Sequence, residues 1–233
     1  LAKLFQQNLM TETAAFSDKD MFGRYLPCDE LGGDFYDCVQ DKGNLWFIMA
    51  DVSGQGVAAA MISSMLKVEF ANCVKNYEFP QEVLQHMNQT FLPLLNGLYD
   101  IGAFVGKIKG SEFCYSNAGH PYPLLYKNKG EGIRILDLGG PALGLVDKVH
   151  FPFGCVPVAS GDMVLAYTKG LFESRAWNEE GREYEELSRY FSEYKELAKD
   201  NPQEFINVML QVYANVQNTR SREDIAIMLV RNK

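Results

Sequence analysis

Three aspartates lie where apolar stretches of the chain meet turns: Asp34, Asp51 and Asp224. Carboxylates without histidine or cysteine companions suit hard divalent cations such as Mg²⁺ or Mn²⁺. Such cations neutralise the charge of a phosphate group and ready a water molecule as a nucleophile. The three residues therefore predict a divalent-cation site for phosphate chemistry, provided that the fold brings them together. Taken singly, each aspartate has the ordinary interpretation of a turn or helix-cap residue.

The stretch around Asp51 has the clearest local pattern. Asp51 is the only charged residue between Leu45 and Val52, and a run this short and apolar is typical of a strand buried on both faces. A carboxylate at the end of such a strand is costly unless a cation meets it. The glycines that follow, Gly54 and Gly56, let backbone approach a ligand closely. We expect Asp51 at the edge of the core, facing a cation.

The remaining elements must position these carboxylates. Apolar residues at helical spacing predict helices over Leu1–Met10, Val57–Tyr77, Pro80–Leu95 and Glu179–Lys199, and a further helix that begins at Asn201-Pro202. Short apolar runs separated by glycine, proline and asparagine predict strands over Met21–Pro27, Asp34–Gln40, Leu45–Val52, four segments between Ile101 and Gly140, Val149–Ala159, Asp162–Thr168 and the segment from Ile225 onward. Consecutive strands with tight turns predict an antiparallel meander between residues 101 and 140, and the whole order predicts an α+β fold with mostly antiparallel sheet.

Composition limits the classes of function. The chain has 233 residues, 47% of them hydrophobic and 22% charged, which is typical of a globular protein with a sizeable core. A net charge of −8 argues against nucleic acid as a partner and against binding to anionic membranes. No apolar stretch is expected to reach the roughly 18 to 20 residues that cross a bilayer. We expect a cytoplasmic domain without direct membrane insertion, which an upstream domain could tether.

The five cysteines are odd in number, widely spaced and without a C-x-x-C pair. That spacing favours reduced, packed thiols over a disulfide framework or a zinc site. The three histidines, His86, His120 and His150, are interpreted as structural residues. Residues 1–12 are predicted to be the end of a connecting helix from an upstream domain, with a terminal helix packed on its own domain as the equal alternative. Residues 13–233 are predicted to form one domain.

Six short motifs resemble the SpoIIE-type branch of the metal-dependent (PPM, type 2C) Ser/Thr protein phosphatases. They follow one another in that family's order and extend over nearly the whole chain. They are Gly32-Gly33-Asp34-Phe35-Tyr36-Asp37, Ala50-Asp51-Val52-Ser53-Gly54-Gln55-Gly56, Asn117-Ala118-Gly119-His120-Pro121, Pro141-Ala142-Leu143-Gly144, Tyr167-Thr168-Lys169-Gly170-Leu171 and Glu223-Asp224-Ile225. The resemblance implies an α-β-β-α sandwich of two mostly antiparallel sheets flanked by helices.

The resemblance also implies roles for particular residues, with Mn²⁺ or Mg²⁺ as the cofactor. Asp34 is expected to serve the metal directly or through water, Asp51 to bridge two ions, and the Val52 carbonyl and Asp224 to be further ligands. An activated water would attack phosphoserine or phosphothreonine in line, without a covalent phosphoenzyme. The substrate implied for this branch is a phosphorylated anti-sigma-factor antagonist of the STAS type, and an upstream sensor or receiver domain would control the reaction.

Lys169 departs from the pattern, because active relatives carry a metal-ligating aspartate at that position. Replacing a carboxylate by an ammonium changes the local charge by two units, the charge of one divalent ion. We therefore expect one bound ion rather than two, and weakened activity. Alternatively, the flexible stem of Lys169 carries its charge into solvent, and ligation is still lost. Glu173 is the nearest residue that could compensate, although its spacing gives little support.

Two further hypotheses follow from Lys169 and from the first helix. One is a pseudophosphatase, which keeps the fold but acts as a protein-binding regulatory module. The other is a non-catalytic domain that forms a homodimer through the helix over Leu1–Met10.

Overall fold

The computed structural model describes residues 2–10, 13–15, 19–130, 132–173, 182–214 and 223–233. The helices in these ranges are α1 Ala2–Leu9, α2 Gly56–Asn76, α3 Pro80–Leu95, α4 Gly170–Glu173, α5 Arg182–Glu193, α6 Lys195–Asp200 and α7 Pro202–Ala214. The strands are β1 Thr13–Ala15, β2 Lys19–Leu26, β3 Phe35–Asp41, β4 Asn44–Val52, β5 Ile101–Lys109, β6 Glu112–Ala118, β7 Leu124–Lys127, β8 Gly132–Ile135, β9 Phe153–Pro157, β10 Met163–Tyr167 and β11 Ile225–Asn232.

The strands form two antiparallel sheets. One has the order β1-β2-β11-β10-β7-β8 and the other β3-β4-β5-β6-β9. Apolar side chains from both sheets meet in a shared core, with Phe47 and Phe104 from one sheet and Val164 and Met228 from the other. Helices α2 and α3 pack on the outer face of the second sheet, and α5, α6 and α7 cover the first. The predicted α-β-β-α sandwich is confirmed.

Strand β4 shows why the layers form. Successive side chains of a strand point to opposite faces. Phe47 and Met49 therefore enter the core between the sheets, while Trp46 and Ile48 lie in the core beneath α2 and α3. Both faces are buried, as the continuous apolar run predicts, and the strand delivers its last residues to the edge of the core.

The predicted meander between residues 101 and 140 is only partly correct. Strands β5 and β6 pair, as do β7 and β8, but β6 and β7 belong to different sheets. The chain crosses between the sheets after β6, where Gly119 has a positive φ of 69°. A Cβ on Gly119 would lie 2.8 Å from the backbone nitrogen of Ala142, so only glycine fits this crossing.

The C-terminal helices differ from the prediction in one respect. The helix predicted over residues 179–199 is divided at Tyr194 into α5 and α6, and its first three residues lie outside the described ranges. The predicted start at Asn201-Pro202 is correct, because the Asn201 Oδ1 accepts a hydrogen bond of 3.2 Å from the backbone N–H of Glu204. That is the capping geometry of a helix N-terminus.

Helix α1 contacts the domain at the first aspartate motif. The buried Gln6 side chain donates to the carbonyl of Gly32 at 2.6 Å and accepts from the backbone N–H of Gly32 at 3.2 Å. On the other side of the helix, Leu4 and Phe5 are exposed. The predicted helix is present and one of its faces packs on the domain, while the boundary at residues 12 and 13 stays a prediction.

Helix α2 corrects one expectation from the sequence. The helix has 21 residues, and an 18-residue window within it has a mean hydropathy of 1.4, so it is long and apolar enough to cross a membrane by length and composition alone. The sequence expectation that no stretch reaches this length is therefore wrong. The helix buries Ala59, Leu66 and Phe70 in the core beneath it, as the core helix of a globular domain does.

The cysteines also correct an expectation. Cys114 on β6 and Cys155 on β9 form a disulfide, whereas Cys28, Cys38 and Cys73 are free thiols. The two bonded residues lie directly opposite each other in the register of these antiparallel strands. The prediction of reduced cysteines is thus wrong for this pair, because spacing along the chain does not reveal strand register.

Reduction of this disulfide is expected to lower the free energy of unfolding by about 2 to 4 kcal/mol. The bond joins residues 41 positions apart, and opening it restores entropy to the unfolded chain. Urea unfolding with and without reductant measures the difference. The free energy of unfolding of Cys155→Ser is expected to equal that of the reduced wild type and to be unchanged by the reductant. Equal midpoints for the wild type in both conditions would contradict the prediction.

Candidate metal centre

The predicted site residues line one cleft of about 380 Å³ at the edge where the two sheets meet. Its lining comprises Asp34, Asp51, Val52, Ser53, Gly54, Gln55, Lys169, Glu223 and Asp224. Asp34 lies just before β3, Asp51 lies near the end of β4, and Asp224 lies just before β11. Residues separated by up to 190 positions in the sequence thus converge at a single place.

Asp51 is placed as its strand predicts, at the edge of the core. Its Oδ1 atom is buried and has no hydrogen-bond partner within the described residues. A Cβ on Gly102, the residue opposite on β5, would lie only 2.2 Å from this oxygen. The absence of a side chain at Gly102 therefore leaves room for the carboxylate. A buried carboxylate oxygen without a donor is costly, and a cation would meet that need.

Asp34 is buried and lines the cleft. Its Oδ2 accepts a hydrogen bond of 2.5 Å from the Thr168 hydroxyl, which follows β10. Burial is the main cause that raises the pKa of Asp34 well above the usual range, and the charges of Asp224 and Asp51 act in the same direction. The Thr168 hydrogen bond opposes this rise. Negative charge at Asp34 is therefore poorly compensated by the protein itself.

Asp224 is held by backbone donors from the loop that precedes β3. Its Oδ1 accepts from the N–H of Cys28 at 2.8 Å, and its Oδ2 accepts from the N–H of Gly33 at 2.6 Å. Gly32 permits this contact, because a Cβ there would lie 1.9 Å from Asp224 Oδ2. The glycines of the first motif thus serve to seat a carboxylate from the far end of the chain.

Val52 and Gly33 complete the floor of the cleft. A Cβ on Gly33 would lie 2.7 Å from the carbonyl oxygen of Val52, so the missing side chain keeps that oxygen clear. Carboxylate and carbonyl oxygens together are the donor set that Mg²⁺ and Mn²⁺ prefer. The unpartnered Asp51 oxygen and the poorly compensated Asp34 show that the residues present fit a hard divalent cation.

The spacing of the carboxylates bears on how such an ion would bind. Some groups of three ligating side chains have all their ligand atoms within 4.8 Å of one another. Within the described ranges, the three aspartates are not among these groups. The ligand atoms of the three aspartates are therefore not all within 4.8 Å of one another, and the way in which each aspartate serves the metal stays a prediction.

Lys169 lies two residues after the end of β10, and its side chain is 50% exposed. Its Nζ lies 3.5 Å from Asp51 Oδ2. In this structure the Lys169 ammonium faces the Asp51 carboxylate. The alternative, in which the stem of Lys169 carries the charge into solvent, does not describe this arrangement. The side chain of Glu173, the candidate for compensation, lies outside the described residues.

The histidines do not enter this cleft. His120 stabilises a turn in which Asn117 Oδ1 accepts from the His120 N–H and Asn117 Nδ2 donates to the His120 carbonyl, each at 2.9 Å. Burial lowers the pKa of His120, against the raising effect of the Asp51 charge. His86 lies between α2 and α3, where it contacts Tyr77 and Glu69.

Two contributors to the cleft were not assigned a role from the sequence. Thr168 lies within a motif in which only Lys169 was given a role, and Gly102 lies in a strand that contains none of the six motifs. A hydroxyl beside a strand-end motif is a signal that could have indicated Thr168. Nothing in the sequence alone indicates that Gly102 lies opposite Asp51, because strand register decides it.

Gly102→Ala is expected to weaken Mn²⁺ binding about 10- to 100-fold, because the new Cβ displaces the Asp51 carboxylate. Isothermal titration with Mn²⁺ measures the affinity. Gly106→Ala is the matched control: it lies on the same strand, and its Cβ would lie 2.4 Å from the Phe47 ring, far from the aspartates. The control is expected to lose stability and keep its Mn²⁺ affinity. Equal Mn²⁺ affinities for the two variants would contradict the prediction.

Comparison with known proteins places this geometry in a family. A sequence model described as Stage II sporulation protein E (SpoIIE) matches residues 41–233. The phosphoserine phosphatase RsbU of Bacillus subtilis (strain 168) is 24% identical over 236 residues, which cover 100% of this chain and 69% of RsbU.

Solved structures show the same fold. The RsbU and RsbW domains of Rv1364c from Mycobacterium tuberculosis superpose with a TM-score of 0.80 at 23% identity, over 97% of this chain and 63% of that one. RsbX in complex with magnesium superposes with a TM-score of 0.73 at 17% identity, over 96% of this chain and 100% of that one. The chain thus spans about two thirds of RsbU and slightly less of the mycobacterial chain.

Proposed function

This chain belongs to the SpoIIE-type branch of the PPM (type 2C) protein phosphatases, and from that premise we propose that it hydrolyses phosphoserine or phosphothreonine in a protein. The observation that carries the proposal is the convergence of Asp34, Asp51 and Asp224 in one cleft, with a buried Asp51 oxygen that lacks a partner within the described residues. The family match and the phosphoserine phosphatase RsbU support the reaction class.

We assign the cation, Mn²⁺ or Mg²⁺, to Asp51, the Val52 carbonyl and Asp224, with Asp34 reached directly or through water. When bound, a divalent cation neutralises phosphate charge and lowers the pKa of a water molecule. The donor set supports this assignment, and the magnesium complex of RsbX shows that a protein of this fold binds such an ion. One ion is proposed rather than two, because Lys169 stands where a further carboxylate ligand is expected and brings a positive charge within 3.5 Å of Asp51.

Neighbouring residues orient the carboxylates that line the cleft. Thr168 holds Asp34 by its hydroxyl, and the backbone N–H groups of Cys28 and Gly33 orient Asp224. The half-exposed Lys169 ammonium offers a phosphate group a positive contact at the opening. A phosphorylated side chain that enters the cleft would therefore meet an ammonium at the rim before the aspartates at the floor.

For the partners we propose a phosphorylated anti-sigma-factor antagonist of the STAS type as substrate, and an upstream sensor or receiver domain as regulator. The contact between Gln6 of α1 and Gly32 offers such a domain a direct connection to the first aspartate motif. Helix α1 also exposes Leu4 and Phe5, which supports a homodimer through this helix. We propose a cytoplasmic location for the domain.

A pseudophosphatase is the second candidate, and the Lys169–Asp51 contact favours it. An ammonium beside the central carboxylate supplies part of the positive charge that an ion would otherwise provide. In that case the cleft retains its shape and binds a phosphoprotein without hydrolysing it.

The deciding experiment is hydrolysis of p-nitrophenyl phosphate and of a phosphoserine protein with Mn²⁺, by the wild type and by Asp224→Asn. A phosphatase is expected to release phosphate slowly, and the variant is expected to release none. Metal-dependent release that is equal in both proteins would show that the site assignment is wrong. No release by the wild type, together with saturable binding of the phosphoprotein, would identify the pseudophosphatase.

A further inference from the structure

A second cluster of ligating side chains lies between helices α2 and α3, apart from the cleft of the aspartates. Glu69 and Cys73 are four residues apart on α2 and therefore share one face of that helix. His86 on α3 faces them, and its Nε2 lies 3.0 Å from Glu69 Oε1. One ligand atom from each of the three residues lies within 4.8 Å of the other two.

Neighbouring side chains orient two of these residues. The Tyr77 hydroxyl lies 3.0 Å from His86 Nδ1, which leaves Nε2 directed at Glu69. The Thr90 hydroxyl donates to Glu69 Oε1 at 3.0 Å. Histidine ligands of metal ions are commonly held by such a partner on the second ring nitrogen, and ligating carboxylates are commonly hydrogen-bonded in turn.

Burial and access also suit an ion. The Cys73 side chain is buried, whereas those of Glu69 and His86 are 20% and 38% exposed. Glu69 and Thr90 line a groove of about 360 Å³ between the two helices, so solvent reaches the cluster. A buried thiol must lose its proton when it binds an ion, and the cation then supplies the positive charge that the buried thiolate requires.

We propose that Glu69, Cys73 and His86 form a binding site for a transition-metal ion of the Zn²⁺ class. Sulfur, imidazole nitrogen and one carboxylate oxygen are the ligands that Zn²⁺ takes in proteins, while Mg²⁺ and Mn²⁺ prefer oxygen alone. Three protein ligands would leave a fourth tetrahedral position for a water molecule. The site therefore differs in ligand chemistry from the aspartate cleft.

An ion at this site joins α2 to α3. Helix α2 begins at Gly56, directly after the loop that contributes Ser53, Gly54 and Gln55 to the aspartate cleft. The bound ion fixes the opposite half of that helix against its neighbour. We expect Zn²⁺ to raise the melting temperature of the wild type and to leave that of Cys73→Ser unchanged.

Titration of the intact chain with Co²⁺, without reductant so that the Cys114–Cys155 disulfide stays closed, tests the site. A thiolate bound to Co²⁺ gives a near-ultraviolet charge-transfer band that oxygen ligands do not give. The wild type is expected to show this band, and Cys73→Ser and His86→Gln are expected to lose it. Tyr77→Phe is expected to keep the band with about 10- to 100-fold weaker affinity.

Cys28→Ser is the control, because Cys28 donates its backbone N–H to Asp224 at the aspartate cleft. This variant is expected to keep the band. Loss of the band in Cys28→Ser but not in Cys73→Ser would place the thiolate in the cleft and overturn the proposal. Absence of any band in the wild type would also overturn it. Because His86 is partly exposed, His86→Gln is expected to fold and decides the matter even if Cys73→Ser does not.

Discussion

Lys169→Asp is expected to raise the Mn²⁺-dependent phosphatase rate about a hundredfold, the scale at which a single electrostatic group commonly acts in catalysis. The substitution places a carboxylate where active relatives are expected to have one. It also removes an ammonium whose Nζ lies 3.5 Å from Asp51 Oδ2. The measured quantities are the rate of p-nitrophenyl phosphate hydrolysis and the number of Mn²⁺ ions bound per chain.

Two effects contribute to this gain, and their sizes differ. Two unit charges about 4 Å apart interact by about 4 kcal/mol at an effective dielectric constant near 20, so an ammonium beside a divalent ion is strongly repelled. Because Lys169 is half exposed, it can turn into solvent and lose only its ion pair with Asp51, which is worth about 1 kcal/mol or less. The missing ligand is therefore expected to matter more than the added charge.

Lys169→Gln separates the two effects, because it removes the charge without supplying a carboxylate. We expect this variant to gain less than a tenth of what Lys169→Asp gains. An inert wild type with an active Lys169→Asp variant would identify a pseudophosphatase that one substitution reactivates. A wild type that is already fully active and unaffected by either change would show that Lys169 does not limit the reaction.

The layers of the fold could be predicted from local sequence pattern, because the buried face of each strand or helix requires apolar residues at a regular spacing. The apolar run of β4 and the helical spacing in α2 and α3 determine which faces are buried. Sheet membership could not be predicted in the same way. Strands β6 and β7 both resemble members of one meander, and only the crossing after Gly119 sends them to opposite sheets.

The candidate site shows a similar limit. Each aspartate could be recognised at a strand end, but their convergence depends on contacts between remote segments, such as Gly33 with Asp224. The convergence of the three aspartates was predicted from the order of the six motifs along the chain, and not from the chemistry of any one residue. Contacts that depend on register stayed hidden: Gly102 opposite Asp51, and Cys114 opposite Cys155.

Asp51→Asn is expected to abolish the stabilisation of the protein by Mg²⁺ and to reduce phosphatase activity to background. At a Mg²⁺ concentration of one hundred times Kd, the wild type is expected to gain about 2.7 kcal/mol in free energy of unfolding. The variant keeps the shape of the side chain but loses the charge that meets the ion. Urea unfolding with and without Mg²⁺ measures the gain, and Mg²⁺ avoids the thiolate and imidazole of the cluster between α2 and α3.

Without metal, the same substitution is expected to leave the fold intact, because the asparagine no longer adds negative charge beside Asp34. Asp37→Asn is the matched control, since Asp37 is a buried carboxylate of β3 whose Oδ2 lies 2.7 Å from Lys67 Nζ, outside the cleft. Breaking that ion pair is expected to cost stability while the gain from Mg²⁺ stays near 2.7 kcal/mol. If Asp51→Asn responded to Mg²⁺ as fully as Asp37→Asn, the ion would bind elsewhere and the aspartate cleft could not be the metal centre.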